Sequence, residues 1–346
     1  MKKVLTAGAA MAMVLSMASM GAMAEDTVDV NVIAAQYGQN TADWWAQFVE
    51  DFNADNPGIN LNVEVVSWND IYTVVNTRIA NGEAPDVLNI DVFADYQADD
   101  LLLPIQDVVS EETYSKMYDA FLAQSEVDGT VWAIPDLASA RALYYNKDIL
   151  DAAGVEVPTT WDELLTVAET IKTAKGIETI GWDDLAGMFQ AMLVQNGSGY
   201  IDENGALFDN EKGLETVEYI MNLYNNGYAR LVGEDKYFSN VISNQLIASY
   251  VGSSTGASYI TAEGWELGVA PLPINTEKAA NAAGTNIVMF TQDQNKQKAA
   301  WEYLKFITSA EATTEWAMET GYLPVRTSAY ESDTYQKFME TDPTSI

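Results

Sequence analysis

The 346-residue chain contains no cysteine and no histidine. The first absence excludes disulfides and thiolate-held metals. The second removes the commonest general base, together with Ser-His-Asp and Cys-His nucleophile systems. Basic residues are scarce: 17 lysines and arginines stand against 51 aspartates and glutamates, a net charge of −34. Such a field repels nucleic acid and anionic membrane and works mildly against a highly anionic ligand, so no nucleic-acid partner is expected. The acids are spread along the chain, the pattern of a solvated surface. So few lysines suit a saline habitat, which melting temperatures at low and high salt would test. Internal repeats, low-complexity tracts, long linkers and a D-x-[DN]-x-[DN]-G calcium loop are also missing, and no cofactor or metal is expected.

What is present begins with a leader. Lys2 and Lys3 precede an apolar, small-residue run from Val4 to Met20, and Ala22-Met23-Ala24 fits an A-x-A cleavage site. The run is too short and alanine-rich for a stable membrane span. No cysteine stands at the cleavage point, so a lipoprotein is excluded. Loss of residues 1–24, which carry two lysines and no acid, leaves 322 residues with a net charge of −36. That length is ample for two domains whose cores must hold without disulfides.

The mature start, VDVNVIAAQY (28–37), alternates like a strand that becomes buried. ADWWAQFVEDFNADNP (42–57) has helical apolar spacing and ends at Asn-Pro-Gly, and INLNVEVVS (59–67) alternates strictly. A helix over 71–81 and a strand over 84–92 complete a β-α-β-α-β order, which implies right-handed crossovers and a parallel sheet. A second series follows: a strand at 140–145, helices at 147–153, 161–173 and 211–225, and strands at 246–251 and 267–271. Helices at 296–309 and 311–320 close it. VGSSTGASY (251–259) reads as a small-residue turn from strand to helix, where free amides and hydroxyls could meet an oxygen-rich ligand. No lysine follows its glycines, so it is not a Walker A loop.

Seven stretches in order resemble the extracellular solute-binding proteins of ABC importers, in their large carbohydrate-binding group: FNADNPGINLNVEVV, ANGEAPDVLNID, DGTVWAIP, ALYYNKDILDAAGVEVPTTWDEL, ELGVAPLPI, AAWEYLKFITSAE and TGYLPVRTSAY. The resemblance covers nearly all of residues 28–330. It implies an α/β, two-lobe periplasmic-binding-protein fold of type II, each lobe a mixed, mainly parallel sheet flanked by helices, with a ligand cleft between lobes that closes by a hinge. The lobes would be residues 25–137 plus 272–321, and 138–271 plus 322–346, with C-terminal helices shortened. Crossing segments would lie near 136–141, 267–274 and 322–326. The function implied is capture of a carbohydrate and delivery to ABC permease transmembrane subunits, by a monomer in the periplasm. Recognition, not bond making, would be its chemistry.

Within that group the chain is most similar to the subfamily binding glycerol 3-phosphate and glycerophosphodiesters, the alternative reading. IGWDDLAGMFQAMLVQNG (180–197) resembles its glycine-tryptophan segment, although Leu185 stands where the subfamily has a second tryptophan. Ser253 and Ser254 match its paired serines, Ser139 a ligand-contacting serine, Trp68 an aromatic, Asp91 lies within a residue of its acidic contact, and Gly284 matches a backbone contact. The subfamily's phosphate-facing arginine lies beyond Ile346, so Arg141 or Arg326 would have to neutralise a phosphate.

A pyranose has apolar faces and a hydroxyl rim, so a sugar site needs a stacking ring and paired donors and acceptors. Trp182 is the best stacking candidate against a core role. Its replacement by alanine is expected to weaken binding at least about tenfold while leaving the melting temperature of the free protein nearly unchanged. Trp68 serves equally as ligand contact or core, Trp161 packs a helix, and Trp44 faces core more than cleft. Asp91, at a strand's carboxyl end, either accepts two hydroxyls or caps a helix. Of Tyr144 and Tyr145, which alternate on a strand, at most one faces a ligand. Asn146 and Asp148 read as helix caps, and Arg141 as a lobe bridge or ligand contact. A secreted glycoside hydrolase using two carboxylates is the remote alternative, and a surface-layer protein another; neither has a signature here.

Overall fold

The computed structural model describes residues 27–37, 41–107, 116–202, 204–233 and 236–341; the expected leader and the last five residues lie outside them. The chain divides into two compact units. One holds residues up to Leu137 with Gly284–Thr320 and Pro324–Ser332; the other holds Ala138–Ala283, Gly321–Leu323 and the chain from Asp333.

In the first unit the strand Val28–Ala35 is central, pairing in parallel with Ile59–Val66 and with Val87–Ile90. The last of these also pairs antiparallel with the strand Ala282–Met289. Helix Ala42–Asp55 buries Trp45, Phe48 and Phe52, three and four residues apart, on one face. It stops before Pro57, which cannot continue a helix. Trp44 stacks on Trp316 with ring centroids 4.1 Å apart, a core role. Helix Gln294–Ile307 starts two residues earlier than its apolar pattern predicts, because the Asp293 carboxylate accepts the amides of Asn295 and Lys296. Lys296 Nζ pairs at 2.9 Å with buried Asp86, which also accepts the Asn31 amide.

In the second unit the strand Ala133–Asn146, which begins in the first, is flanked on both sides by antiparallel partners, Ser249–Ser253 and Leu267–Ala270. Parallel pairing here is short: Ala229–Arg230 with Ile180–Gly181, and single bridges from Trp182 to Val251, Glu178 to Ile247 and Thr160 to Ile274. The expected strand over 140–145 thus extends seven residues further back, because residues 133–139 are all buried and run straight on. Four helices are capped by side chains: Asn146 for Lys147–Ala153, Thr160 for Trp161–Lys175, Asp184 for Leu185–Gln195 and Asn210 for Glu211–Asn225. Asp148 is instead tied to the Glu266 amide.

Two boundaries differ from the expected lobes. Residues 272–283 stay with the second unit, because Ile274 exchanges backbone bonds with Thr159 and Trp161, and Thr276 bonds to the Gln195 carbonyl. Residues 324–332 belong to the first, where Val325 accepts the Tyr118 amide and Arg326 bridges to Met117.

Candidate functional site

The small-residue turn is built by a strand and a tyrosine. Strand Ser249–Ser253 runs directly into a 3-10 helix, Ser254–Tyr259. Ser253 caps that helix: its Oγ lies 2.9 Å from Thr255 Oγ1 and accepts the Thr255 amide. From the paired strand, Tyr144 donates its hydroxyl to the carbonyls of Ser253 and Ser254, both at 2.8 Å, and accepts the Ala257 amide. Its ring stacks on Tyr250 and is 1% exposed. Tyr144 is therefore withdrawn as a ligand contact; its hydroxyl is spent holding the turn. Ser254 Oγ is buried and has no hydrogen-bond partner. A buried hydroxyl without a partner costs roughly 1–3 kcal/mol.

Opposite Ser253 in the register stands Arg141. Its Nη2 lies 3.3 Å from Asp184 Oδ2, while Asp184 Oδ1 accepts the Gly187 amide at the helix start. Arg141 also lines a concave, partly open pocket in this unit, with a cavity of about 40 Å³. Helix Trp161–Lys175 contributes Trp161 and Leu164, and helix Leu185–Gln195 contributes Met188, Ala191 and Met192. Trp182 and Val251 form the wall between them, and Leu272 and Pro273 close one side.

Trp182 lines this pocket and is also core. It is 6% exposed and packs among Leu143, Ile180, Leu223 and Val251. The expectation that its removal leaves the melting temperature unchanged is therefore corrected. Trp161, read as a packing residue, lines the pocket too. Its ring stacks on Tyr219 at 4.4 Å and its indole N–H donates to Gln195 Oε1 at 2.8 Å. Gln195 Nε2 donates in turn to the Ala279 carbonyl. No sequence signal singled out Gln195; only tertiary packing shows that it holds Trp161.

Asp183, beside Trp182, accepts the Phe238 amide at 2.7 Å. Burial pushes its carboxyl up to about 6, against the pull of that amide and of Arg141. A side chain at Gly252 would place Cβ 2.7 Å from Asp183 Oδ2 and 2.6 Å from the Tyr250 ring, so this strand position must remain glycine.

Ser139 is 6% exposed on the long strand of the same unit. The remaining candidates belong to the first unit. Trp68 meets Tyr37 edge-on at 5.6 Å. Asp91, at the carboxyl end of Val87–Ile90, caps no helix; its Oδ1 accepts the Tyr72 hydroxyl at 2.5 Å and the Val92 amide. Gly284 faces Gln124 and Phe121. Arg326 donates to the Thr308 carbonyl and Ser328 Oγ, which ties it within the first unit. Structure thus gathers Ser253, Ser254, Arg141, Tyr144 and Trp182 around one strand end.

Residues 47–341 match the profile of a family described as bacterial extracellular solute-binding protein. The arabinooligosaccharide-binding protein of Halalkalibacterium halodurans is 28% identical over 304 residues, 81% of this chain and 67% of that protein. The solved structure of the cyclic alpha-maltosyl-1,6-maltose binding protein from Arthrobacter globiformis superposes with a TM-score of 0.79 at 22% identity, covering 92% of this chain and 85% of that one. UgpB of Mycobacterium tuberculosis, solved with glycerophosphocholine, gives 0.79 at 20% identity over 93% and 85%. At these identities the structures establish a shared fold. Among the described residues no helix is long and apolar enough to cross a membrane.

Proposed function

Because the chain belongs to the bacterial extracellular solute-binding protein family, we propose that it captures a carbohydrate outside the cytoplasm and delivers it to the transmembrane subunits of an ABC permease. The observation that carries this reading is the turn at Ser253–Ser254. It is fixed from behind by Tyr144, adjoins Arg141, and carries one buried hydroxyl with no partner in the protein. A ligand hydroxyl would satisfy that group once the turn shifts to uncover it, since a hydroxyl both donates and accepts. Trp182 and Arg141 link the turn to the neighbouring pocket.

A glycerol phosphate is the second reading, favoured by the likeness to UgpB. Charge at the site works against it. Arg141 is already paired with Asp184, and Asp183 lies close by. A dianionic phosphate there would meet two carboxyls and one shared guanidinium.

The protein acts as a monomer in the periplasm, after cleavage of its leader behind Ala24 and without a lipid anchor. Intact mass and sedimentation of the exported protein check these points. Titration calorimetry with malto- and arabino-oligosaccharides, glycerol 3-phosphate and glycerophosphocholine tests the ligand. Stoichiometric binding of an oligosaccharide is expected, with no product formed. A micromolar Kd corresponds to about −8 kcal/mol. Tighter binding of a phosphate ester would transfer the assignment to the second reading, and turnover would overturn both. Alanine at both Ser253 and Ser254 is expected to weaken binding.

A further inference from the structure

The pocket beside the serine turn is poorly suited to a bare sugar. Its wall is formed mainly by two tryptophans, Met188, Met192 and aliphatic side chains. Four polar side chains reach it, and each already has a partner within the protein. Arg141 is paired with Asp184, and both Asp184 oxygens are used. The Gln195 carboxamide accepts from Trp161 and donates to Ala279. Asn281 Nδ2 donates to Gln190 Oε1. A pyranose pushed into this space would lose water from several hydroxyls and meet only the remaining Arg141 N–H groups and the Asn281 carbonyl oxygen along an otherwise apolar wall, an unfavourable exchange. An apolar group of phenyl size or smaller would displace water at no such cost. Two of the walls also suit such a group. Trp161 is backed by Tyr219 and locked by Gln195, which fixes its ring, and the thioethers of Met188 and Met192 adapt to the edge of an aromatic guest.

We infer that this pocket binds an apolar substituent, and that the solute is a carbohydrate conjugate: a sugar whose hydroxyls meet the serine turn and which carries an aromatic or short aliphatic group seated between Trp161, Trp182 and Met188. The inference rests on the carbohydrate reading above for the sugar half only; the apolar half rests on the pocket itself.

The two halves are tested separately. With the methionine methyls labelled with carbon-13, benzyl alcohol is titrated into the full chain and followed by NMR. The Met188 and Met192 resonances are expected to shift saturably, while methionines outside the pocket stay still. Ala191→Phe fills the space and abolishes the shifts; should that variant fail to fold, Ala191→Leu is expected to weaken them. Unmoved Met188 and Met192 resonances, or shifts untouched by either substitution, overturn the inference. In the second arm, the methyl and phenyl glycosides of each sugar that stabilises the protein are compared by calorimetry. The phenyl glycoside is expected to bind about tenfold more tightly in the parent, from the area of one buried ring, and equally in Ala191→Phe. Equal affinities in the parent overturn the conjugate while leaving a sugar ligand standing. If no sugar binds, the carbohydrate reading fails and the benzyl alcohol titration still decides the pocket.

Discussion

Two polar clusters, one in each unit, are arranged in opposite ways. In the first, Asp91 stands at the open end of a parallel strand with only a phenol and a neighbouring amide on its carboxylate, and both Asp91 and Tyr72 reach solvent. In the second, the polar groups near the pocket are consumed internally: Tyr144 by the turn, Gln195 by Trp161, Arg141 by Asp184. Asp91 thus keeps hydrogen-bonding capacity that the protein does not fill, whereas the pocket of the second unit offers shape and apolar surface. Substitutions in the second unit should accordingly act on stability as well as affinity, and those at Asp91 on affinity alone.

Trp182→Ala gives the largest effect. The ring is both wall and core, so its loss opens a cavity in the Leu143–Val251 cluster and is expected to cost about 3–5 kcal/mol of unfolding free energy. Urea denaturation measures that directly. A cost below about 1 kcal/mol would break the claim that this unit's recognition surface doubles as its core.

The buried acids carry the comparison into pH. Asp136, in the first unit, is 3% exposed, its Oδ2 has no partner, and burial pushes its carboxyl up to about 7, offset only slightly by the Asn89 carboxamide. Asp183, in the second, has the Phe238 amide and Arg141 nearby and rises only to about 6. Both values lie above the unfolded carboxyl, so each acid is stabilising while protonated, and that stability is lost as pH rises through the folded value. Asp136→Asn should therefore gain on the parent between about pH 4 and 7, by up to roughly 4 kcal/mol at the top of the window. Asp183→Asn should gain less, about 3 kcal/mol at most, and level off near pH 6. Parallel stability–pH curves for parent and variant would remove the buried-acid account.

Tyr144→Phe removes one hydroxyl, with the proton it shares between the Ser253 and Ser254 carbonyls and the bond it accepts from the Ala257 amide, leaving the stacking on Tyr250 intact. About 1–3 kcal/mol should be lost, with amides of residues 254–259 exchanging faster than the rest of the unit.

Much of the first unit was legible because its signals are local. Strict alternation in INLNVEVV, the helical spacing of Trp45, Phe48 and Phe52, and the Asn-Pro-Gly stop act within a few residues of one another. The second unit depends on distant pairings. Nothing in PDLASA announces a strand, since alanine and serine carry little β preference; it is extended because it is buried on every side. The serine turn and Arg141 were each visible singly, but their register is a property of the sheet. Gln195 was invisible because a glutamine on a helix has no signature until its partners Trp161 and Ala279 are in place. Trp182 shows the limit of a two-way choice between ligand and core, since one ring fills both positions.

The smallest effect on stability is expected at Asp91, where it sharpens the contrast between units most. Replacement by asparagine keeps an oxygen for the Val92 amide and the Tyr72 hydroxyl but removes the charge that would make it a strong acceptor for ligand hydroxyls. The residue is partly exposed, so unfolding free energy should move by no more than about 0.5 kcal/mol. Affinity for an oligosaccharide that binds the parent should fall about tenfold, the worth of a charge-assisted hydrogen bond or two. The loss should be the same for methyl and phenyl glycosides, because the carboxylate acts on hydroxyls and not on the apolar group. A loss confined to the phenyl glycoside, or no loss at all, would overturn Asp91 as a contact for ligand hydroxyls.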